Sequence, residues 1–168
     1  MSERDWPIDG ELVVCSVTEV KDFAAFVNLD EYEGRQGLIP IAEIARGWIK
    51  HIRDYIREGQ KVVCKVLHVD ERRGHIDLSL KDVNEHQRRE KIQDWKNEQK
   101  AHKWIQFAST ESNVEIKTFE EAMYAEFGSL YAAFEAIALY GDATLAKFSL
   151  PAEGALALAK VAAENVKV

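Results

Sequence analysis

Residues Gly10–Asp30, GELVVCSVTEVKDFAAFVNLD, decide how the rest of the chain is read. Leu12 to Val17 is mainly apolar and β-branched, Thr18–Asp22 is a short polar break, and Phe23-Ala24-Ala25-Phe26-Val27-Asn28-Leu29 is a second run. Runs of this length, rich in valine and aromatics and joined by turn-prone residues, predict two antiparallel strands. With Val27 and Leu29 turned into a core, the period of two puts Phe23 with them and Phe26 on the opposite face. A bulge or twist at Ala24-Ala25 would bring both rings to one side. Two readings of the rings follow. Phenylalanine in strands is ordinarily core, whereas rings shown on the open face of a small barrel are what single-stranded nucleic acid stacks on.

Working outward, Glu31-Tyr32-Glu33-Gly34-Arg35 is a turn and Gly37-Leu38-Ile39-Pro40-Ile41 a third strand that Pro40 ends or edges. In Ala42–Ile56 the period changes. Ile44, Trp48, Ile52 and Ile56 recur at four-residue spacing, a helical stripe or a pair of helical turns, with Arg46, Lys50, Arg53 and Arg57 on the other face. Gly47 argues against one continuous helix, and Gly59 stops the segment. Lys61–Asp70 is a fourth strand, apolar on parts of both faces, which is compatible with a bulge. Asp70–Gly74 is a hairpin turn, and His75–Leu80 alternates strictly as a fifth strand. Trp6-Pro7, in a lead-in of residues 1–9, is placed to cap one end. Five short strands with a helical insert after the third predict a Greek-key barrel of the OB type.

From Asn84 the texture becomes helical. Asn84–Ala108 predicts one long charged helix with an apolar face of Ile92, Trp95, Ala101, Trp104, Ile105 and Ala108, followed by a linker at Ser109–Lys117. Thr118-Phe119-Glu120-Glu121 reads as a capping box opening a helix to about Phe127. Ser129–Tyr140 is a further helix ended by Gly141 in a left-handed cap, Asp142–Phe148 a turn or short helix, and a last helix runs from near Pro151 to about Asn165. The expected class is α+β: a five-stranded barrel over residues 1–84, then a separate all-α domain over 85–168.

The bounds are those of a soluble globular protein. No apolar run approaches the roughly 20 residues that span a bilayer, the start Met1–Asp5 is polar and unlike a signal peptide, and Cys15 and Cys64 read as buried free thiols in a cytosolic setting. Net charge is −7, against indiscriminate coating of nucleic acid. Yet residues 35–65 hold seven Lys/Arg against three acids, and residues 86–103 six against three. His51, His68, His75, His86 and His102 make no pair at metal-ligand spacing with each other or a cysteine. There is no phosphate-binding Gly-rich loop and no nucleophile elbow around Ser79 or Ser129. No enzyme, metal or cofactor is expected.

What remains is a barrel with candidate aromatics on its face and cationic residues in the loop after strand three. OB-type barrels bind oligonucleotides on strands two and three and the flanking loops. Phe23 and Phe26 are the candidate stacking rings, Arg35 a cation at the rim, and Arg46, Lys50, Arg53 and Arg57 candidate phosphate contacts in the insert. A solvated charged face is the competing account of each cation.

Gly10-Glu11, Val17, Asp22–Val27, Gly37-Leu38-Ile39, Gly59-Gln60, Val66-Leu67, Asp70, Gly74, Ile76 and Leu78–Lys81 together resemble the S-one RNA-binding domain, named for a bacterial ribosomal protein. That family often has a histidine at the end of strand three, where Pro40 stands here. A narrower likeness covers nearly the whole chain. Leu38–Ile56, Asp70–Lys81, Arg88–Lys96 and Glu126–Glu135 resemble the alpha subunit of archaeal and eukaryotic translation initiation factor 2, in its archaeal form. The resemblance implies a barrel, a helical domain and a third α/β domain that holds the gamma GTPase subunit; the chain reaches Val168 about where that third domain would begin. It implies initiator tRNA and the small ribosomal subunit as partners, no catalysis and no membrane. In eukaryotic members the insert carries a regulatory phosphorylated serine followed by three arginines. Here Ala45 stands at the serine and only Arg46 of the three arginines is kept, so that switch has no hydroxyl to act on. The position of the kinase-docking motif reads Arg73–Asp77, more simply a hairpin turn. A general single-stranded RNA module and a protein-interaction scaffold are the alternatives.

Overall fold

The computed structural model describes residues 5–167; Met1–Arg4 of the expected lead-in, with most of the polar start, and the terminal Val168 lie outside them. Five strands, β1 (Leu12–Val20), β2 (Ala24–Leu29), β3 (Gln36–Pro40), β4 (Lys61–Asp70) and β5 (His75–Ser79), close a barrel in the order β1-β2-β3-β5-β4. Every pairing is antiparallel except β3 with β5. Alternation delivers Val13, Cys15 and Val17 of β1, Val27 and Leu29 of β2, and Val62, Cys64 and Val66 of β4 to one interior cluster. Gly37 of β3 shows how tight that interior is. A Cβ there would lie 2.5 Å from Leu78 Cδ1 and 3.2 Å from Leu29 Cδ1, so any larger residue would force these side chains to shift.

Two bulges shape the barrel, and one is not where the sequence places it. Opposite β2, Val17 faces Val27 and Glu19 faces Phe26, leaving Thr18 as the extra residue. The bulge lets β1 run on through the polar Thr18–Val20 and returns Val20 to the interior. Ala24 and Ala25 each keep a single partner on β3, Pro40 and Ile39, so β2 itself carries no bulge there. The second bulge is in β4, at Leu67 between Val66 and His68, in the strand whose two-sided pattern admits one.

Between β3 and β4 the chain forms two single-turn 3-10 helices, Ile41–Glu43 and Ile52–Asp54, joined by turns. Ile44, Ile49, Ile52 and Ile56 plug into the barrel cluster. The expected stripe is therefore corrected at Trp48, which is 82% exposed while its neighbour Ile49 is buried. The reason is local: Gly47 has φ +84, a conformation that breaks the helical period just before the tryptophan. The loop is tied down at both ends. The Glu43 carbonyl accepts from the N–H groups of Leu80 and Lys81 at 2.9 and 3.0 Å, and Arg53 and Glu58 grip the end of β1.

Helices α1 (Glu85–Ser112), α2 (Ile116–Phe127), α3 (Leu130–Tyr140), α4 (Asp142–Leu145) and α5 (Ala152–Asn165) follow. The start of α1 is a reciprocal capping box: Asn84 Oδ1 accepts from the Gln87 N–H at 2.8 Å, and Gln87 Oε1 accepts from the Asn84 N–H at 3.0 Å. By their internal contacts two compact units divide between Gln93 and Asp94, within α1. Glu31 accounts for the first turns of α1 staying with the barrel. Its carboxylate accepts from the Val14 N–H at 2.9 Å and from Lys91 Nζ at 2.8 Å.

The helical unit packs Ala101, Trp104, Ile105 and Ala108 of α1 with Phe119, Met123, Leu130, Phe134 and Leu158. Trp104 stacks on Tyr131 and meets Phe134 edge-on at 5.3 Å. The expected linker is shorter, because α1 runs to Ser112 and α2 already begins at Ile116. Thr118 thus lies inside α2, and the cap position is Glu115, whose side chain makes no capping bond; the capping box is corrected. Ser129 does cap α3, accepting from the Ala132 N–H at 3.0 Å, and Glu98 completes that end by accepting from the N–H groups of Leu130 and Tyr131 at 3.0 and 2.9 Å.

Candidate nucleic-acid interface

Phe23 sits in the tight link between β1 and β2, and Phe26 in the middle of β2. Since Val27 points inward, Phe26 points outward, opposite Glu19 on one side and Leu38 on the other. Ala24 and Ala25 are both buried, and this break in alternation brings the two rings to one side. They meet edge to face with centroids 6.4 Å apart. Phe23 is 63% exposed and Phe26 half-buried, so Phe23 is not core. The Phe23 carbonyl accepts from the Ile41 N–H at 2.9 Å, which joins this corner to the start of the insert.

The five candidate cations separate into three groups. Arg35 lies over the Trp6 ring, with Cζ 3.7 Å from its centroid, and Nε donates to the Asp5 carbonyl at 3.0 Å. It holds the lead-in: Trp6 packs on the barrel cluster and Pro7 is buried. Arg53 is engaged with Glu58 through two bonds of 2.6 and 2.8 Å and donates to the Val20 carbonyl at 3.2 Å. The Arg53 guanidinium, above all, holds the Glu58 carboxyl down to about 2. Arg46, Lys50 and Arg57 are exposed, and among the described residues their side chains meet no acid. From Ile44 to Arg53 the chain contains no Asp or Glu at all.

The geometry thus offers a ring pair at one corner and an acid-free cationic loop leading away from the neighbouring strand end. The sequence reading missed Trp48, and its signal was Gly47 immediately before it. Ala45 is half-buried against the barrel cluster. Cys15 and Cys64 are buried and unbridged, and the hydrogen bond to Cys64, with burial, pushes the Cys15 thiol up. Among the described residues, no three His, Cys, Asp or Glu side chains converge as metal ligands, and no helix is long and apolar enough to cross a membrane.

Known proteins are similar to this chain in sequence and fold. The family model of the S1 RNA binding domain matches residues 7–81, and that of the eukaryotic translation initiation factor 2 alpha subunit matches residues 115–168. The chain is 50% identical over 165 residues to translation initiation factor 2 subunit alpha of Archaeoglobus fulgidus, covering 96% of this chain and 61% of that protein. It is 50% identical over 171 residues to the same subunit of Haloarcula marismortui, covering 100% of this chain and 64% of that protein. It therefore spans a little under two thirds of the length of these curated relatives. Among solved structures, the intact alpha subunit of aIF2 from Pyrococcus abyssi is similar with a TM-score of 0.87 and 39% identity, over 98% of this chain and 64% of that one. A chain of the a/eIF2alpha-aDim2p-rRNA complex from Pyrococcus horikoshii has a TM-score of 0.87 and 38% identity, over 97% of this chain and 99% of that one.

Proposed function

The chain belongs to the family of the alpha subunit of translation initiation factor 2, and on that premise we propose that it is a noncatalytic, RNA-facing part of such a subunit. In this reading it helps deliver methionylated initiator tRNA to the small ribosomal subunit in the cytoplasm. The gamma GTPase subunit is a partner of the whole factor, held through a further domain of the full-length subunit.

The observation that carries the reading is the insert loop. In a chain of net charge −7, Arg46 and Lys50 stand exposed in an acid-free stretch whose isoleucines are anchored in the barrel. Cations held on a rigid mount, with no competing carboxylate, suit phosphate oxygens and fix the position of an RNA backbone without reading its bases. Arg57 adds a third free cation, while Arg53 and Arg35 serve chiefly as anchors of the loop and lead-in. A second reading, a general single-stranded RNA module, is favoured by the open Phe23 ring beside Phe26.

The test is binding of the chain to initiator tRNA at two salt concentrations, with and without Arg46→Glu/Lys50→Glu. A weak affinity that falls with salt and is lost in the double variant is expected. No binding at either salt would overturn the reading. Equal affinity for any unstructured strand would transfer the function to the second one.

A further inference from the structure

We infer that Trp48 is a base-stacking contact for unpaired RNA, separate from the Phe23–Phe26 corner. The inference rests on the RNA-facing role proposed for the insert loop. Among the described residues Trp48 is the most exposed large hydrophobic side chain, at 82%. Its exposure is not a by-product of a loose loop. Ile44 and Ile52 on either side are 3% exposed, and Ile49, the next residue, is 8% exposed. The chain therefore enters the barrel at Ile44, leaves it at Arg46–Trp48 and returns at once at Ile49. Gly47, at φ +84 with open space around its Cβ position, is the hinge that lifts the indole outward.

The surroundings select the ligand. Arg46 and Lys50 stand two residues to either side of the indole, both exposed and without an acidic partner among the described residues. An aromatic face flanked by free cations matches a nucleotide, whose base is flat and whose adjoining phosphates are anionic. An apolar protein partner would leave both cations desolvated and unpaired, which costs free energy. A paired duplex hides its base faces, so the ligand is a strand or loop with at least one base free.

The experiment compares the chain with its Trp48→Ala, Trp48→Phe and Arg46→Glu/Lys50→Glu variants. The probes are a short unstructured oligoadenylate and a duplex RNA, titrated over a range of salt. Trp48→Ala is expected to weaken oligoadenylate binding roughly five- to 150-fold, the equivalent of about 1–3 kcal/mol per stacked base, with the salt slope unchanged. Trp48→Phe should keep most of the affinity, and duplex binding should be indifferent to the indole. The charge-reversal pair should instead abolish binding to strand and duplex alike. If Trp48→Ala binds oligoadenylate as the parent does while the charge reversal still abolishes binding, the stacking role is overturned and the RNA-facing loop stands. Equal losses on strand and duplex also overturn stacking. If the parent binds neither oligoadenylate nor initiator tRNA, both readings fall together. Because Trp48 contributes nothing to the core, the Trp48→Ala chain should retain the parent's circular dichroism and melting temperature.

Discussion

The barrel unit and the helical unit solve the same burial problem and spend their polar chemistry in opposite directions. In the barrel, strand pairing satisfies the backbone and the main cluster is apolar, with Ser79 buried where it accepts from the Asp82 N–H at 3.2 Å, and Trp48 and the cations of the insert face water. In the helical unit the ends of the helices need partners, and polar side chains are drawn inward to supply them. Glu98 and Ser129 close the start of α3, and Thr144 is 2% exposed, donating to the Ala136 carbonyl at 3.0 Å. Composition separates them only locally: residues 1–93 carry 15 Lys/Arg against 18 acids and residues 94–168 seven against eleven, while residues 35–65 alone carry seven against three. The local excess of cations therefore lies in the barrel unit, in and around the insert loop.

That contrast can be broken in several ways. Phe134 is fully buried against Trp104, and Phe134→Ala should cost the helical unit about 3–5 kcal/mol. Hydrogen exchange resolved by segment should show α1, α3 and α5 losing protection with β1–β5 little changed; equal loss in both would mean that the units unfold as one. Gly37→Ala is the counterpart in the barrel. Forcing a methyl against Leu78 should cost about 1–3 kcal/mol, read as a lowered urea midpoint with protection lost from β3 and β5 first. Glu98→Ala removes the acceptor of two helix-end N–H groups, and a loss of about 1–2 kcal/mol in thermal unfolding is expected. A neutral result would show that water replaces the carboxylate.

Smaller effects sharpen the comparison. Arg46→Glu/Lys50→Glu should change stability by no more than about 0.5 kcal/mol while abolishing RNA binding, because among the described residues neither side chain has an ion-pair partner to lose. A large drop in melting temperature would make the loop structural instead. The last test is of pH. Burial holds His102 below its ordinary value of 6.5, outweighing the pull of nearby Glu98 and Glu120. The unfolded chain then binds the proton more readily, so stability is present above 6.5 and is lost as pH falls from 6.5 through the folded value. In His102→Gln that part of the acid loss should vanish; an unchanged pH profile of melting would refute it.

The strands were legible because their signal is local. Leu12–Val17, Lys61–Asp70 and His75–Ser79 carry period-two or β-branched runs between turn residues, and each forms a strand where it was expected. The long helix and the last helix were legible for the same reason. Errors arose where two local signals competed. Trp48 fits an i, i+4 stripe, but the stripe presumes helical dihedrals that Gly47 abandons. Thr118 and Glu121 fit a capping box, but the helix has already begun at Ile116, with Phe119 fully buried in the core.

What the sequence by itself determined is the order of elements, the barrel and helical classes, and the excess of cations in the insert, since these depend on periodicity and charge along the chain. Which of those cations are free was decided only by the tertiary structure. Arg53 and Arg57 look equivalent in sequence, yet folding brings Glu58 and the Val20 carbonyl onto Arg53 alone. The same holds for the rings. Phe23 belongs to an apolar run and Trp48 to a four-residue apolar spacing, and the side chains that reach the interior are those that strand register and a left-handed glycine leave pointing inward. Burial is a property of packed neighbours, and neighbours distant in sequence are fixed only when the barrel closes.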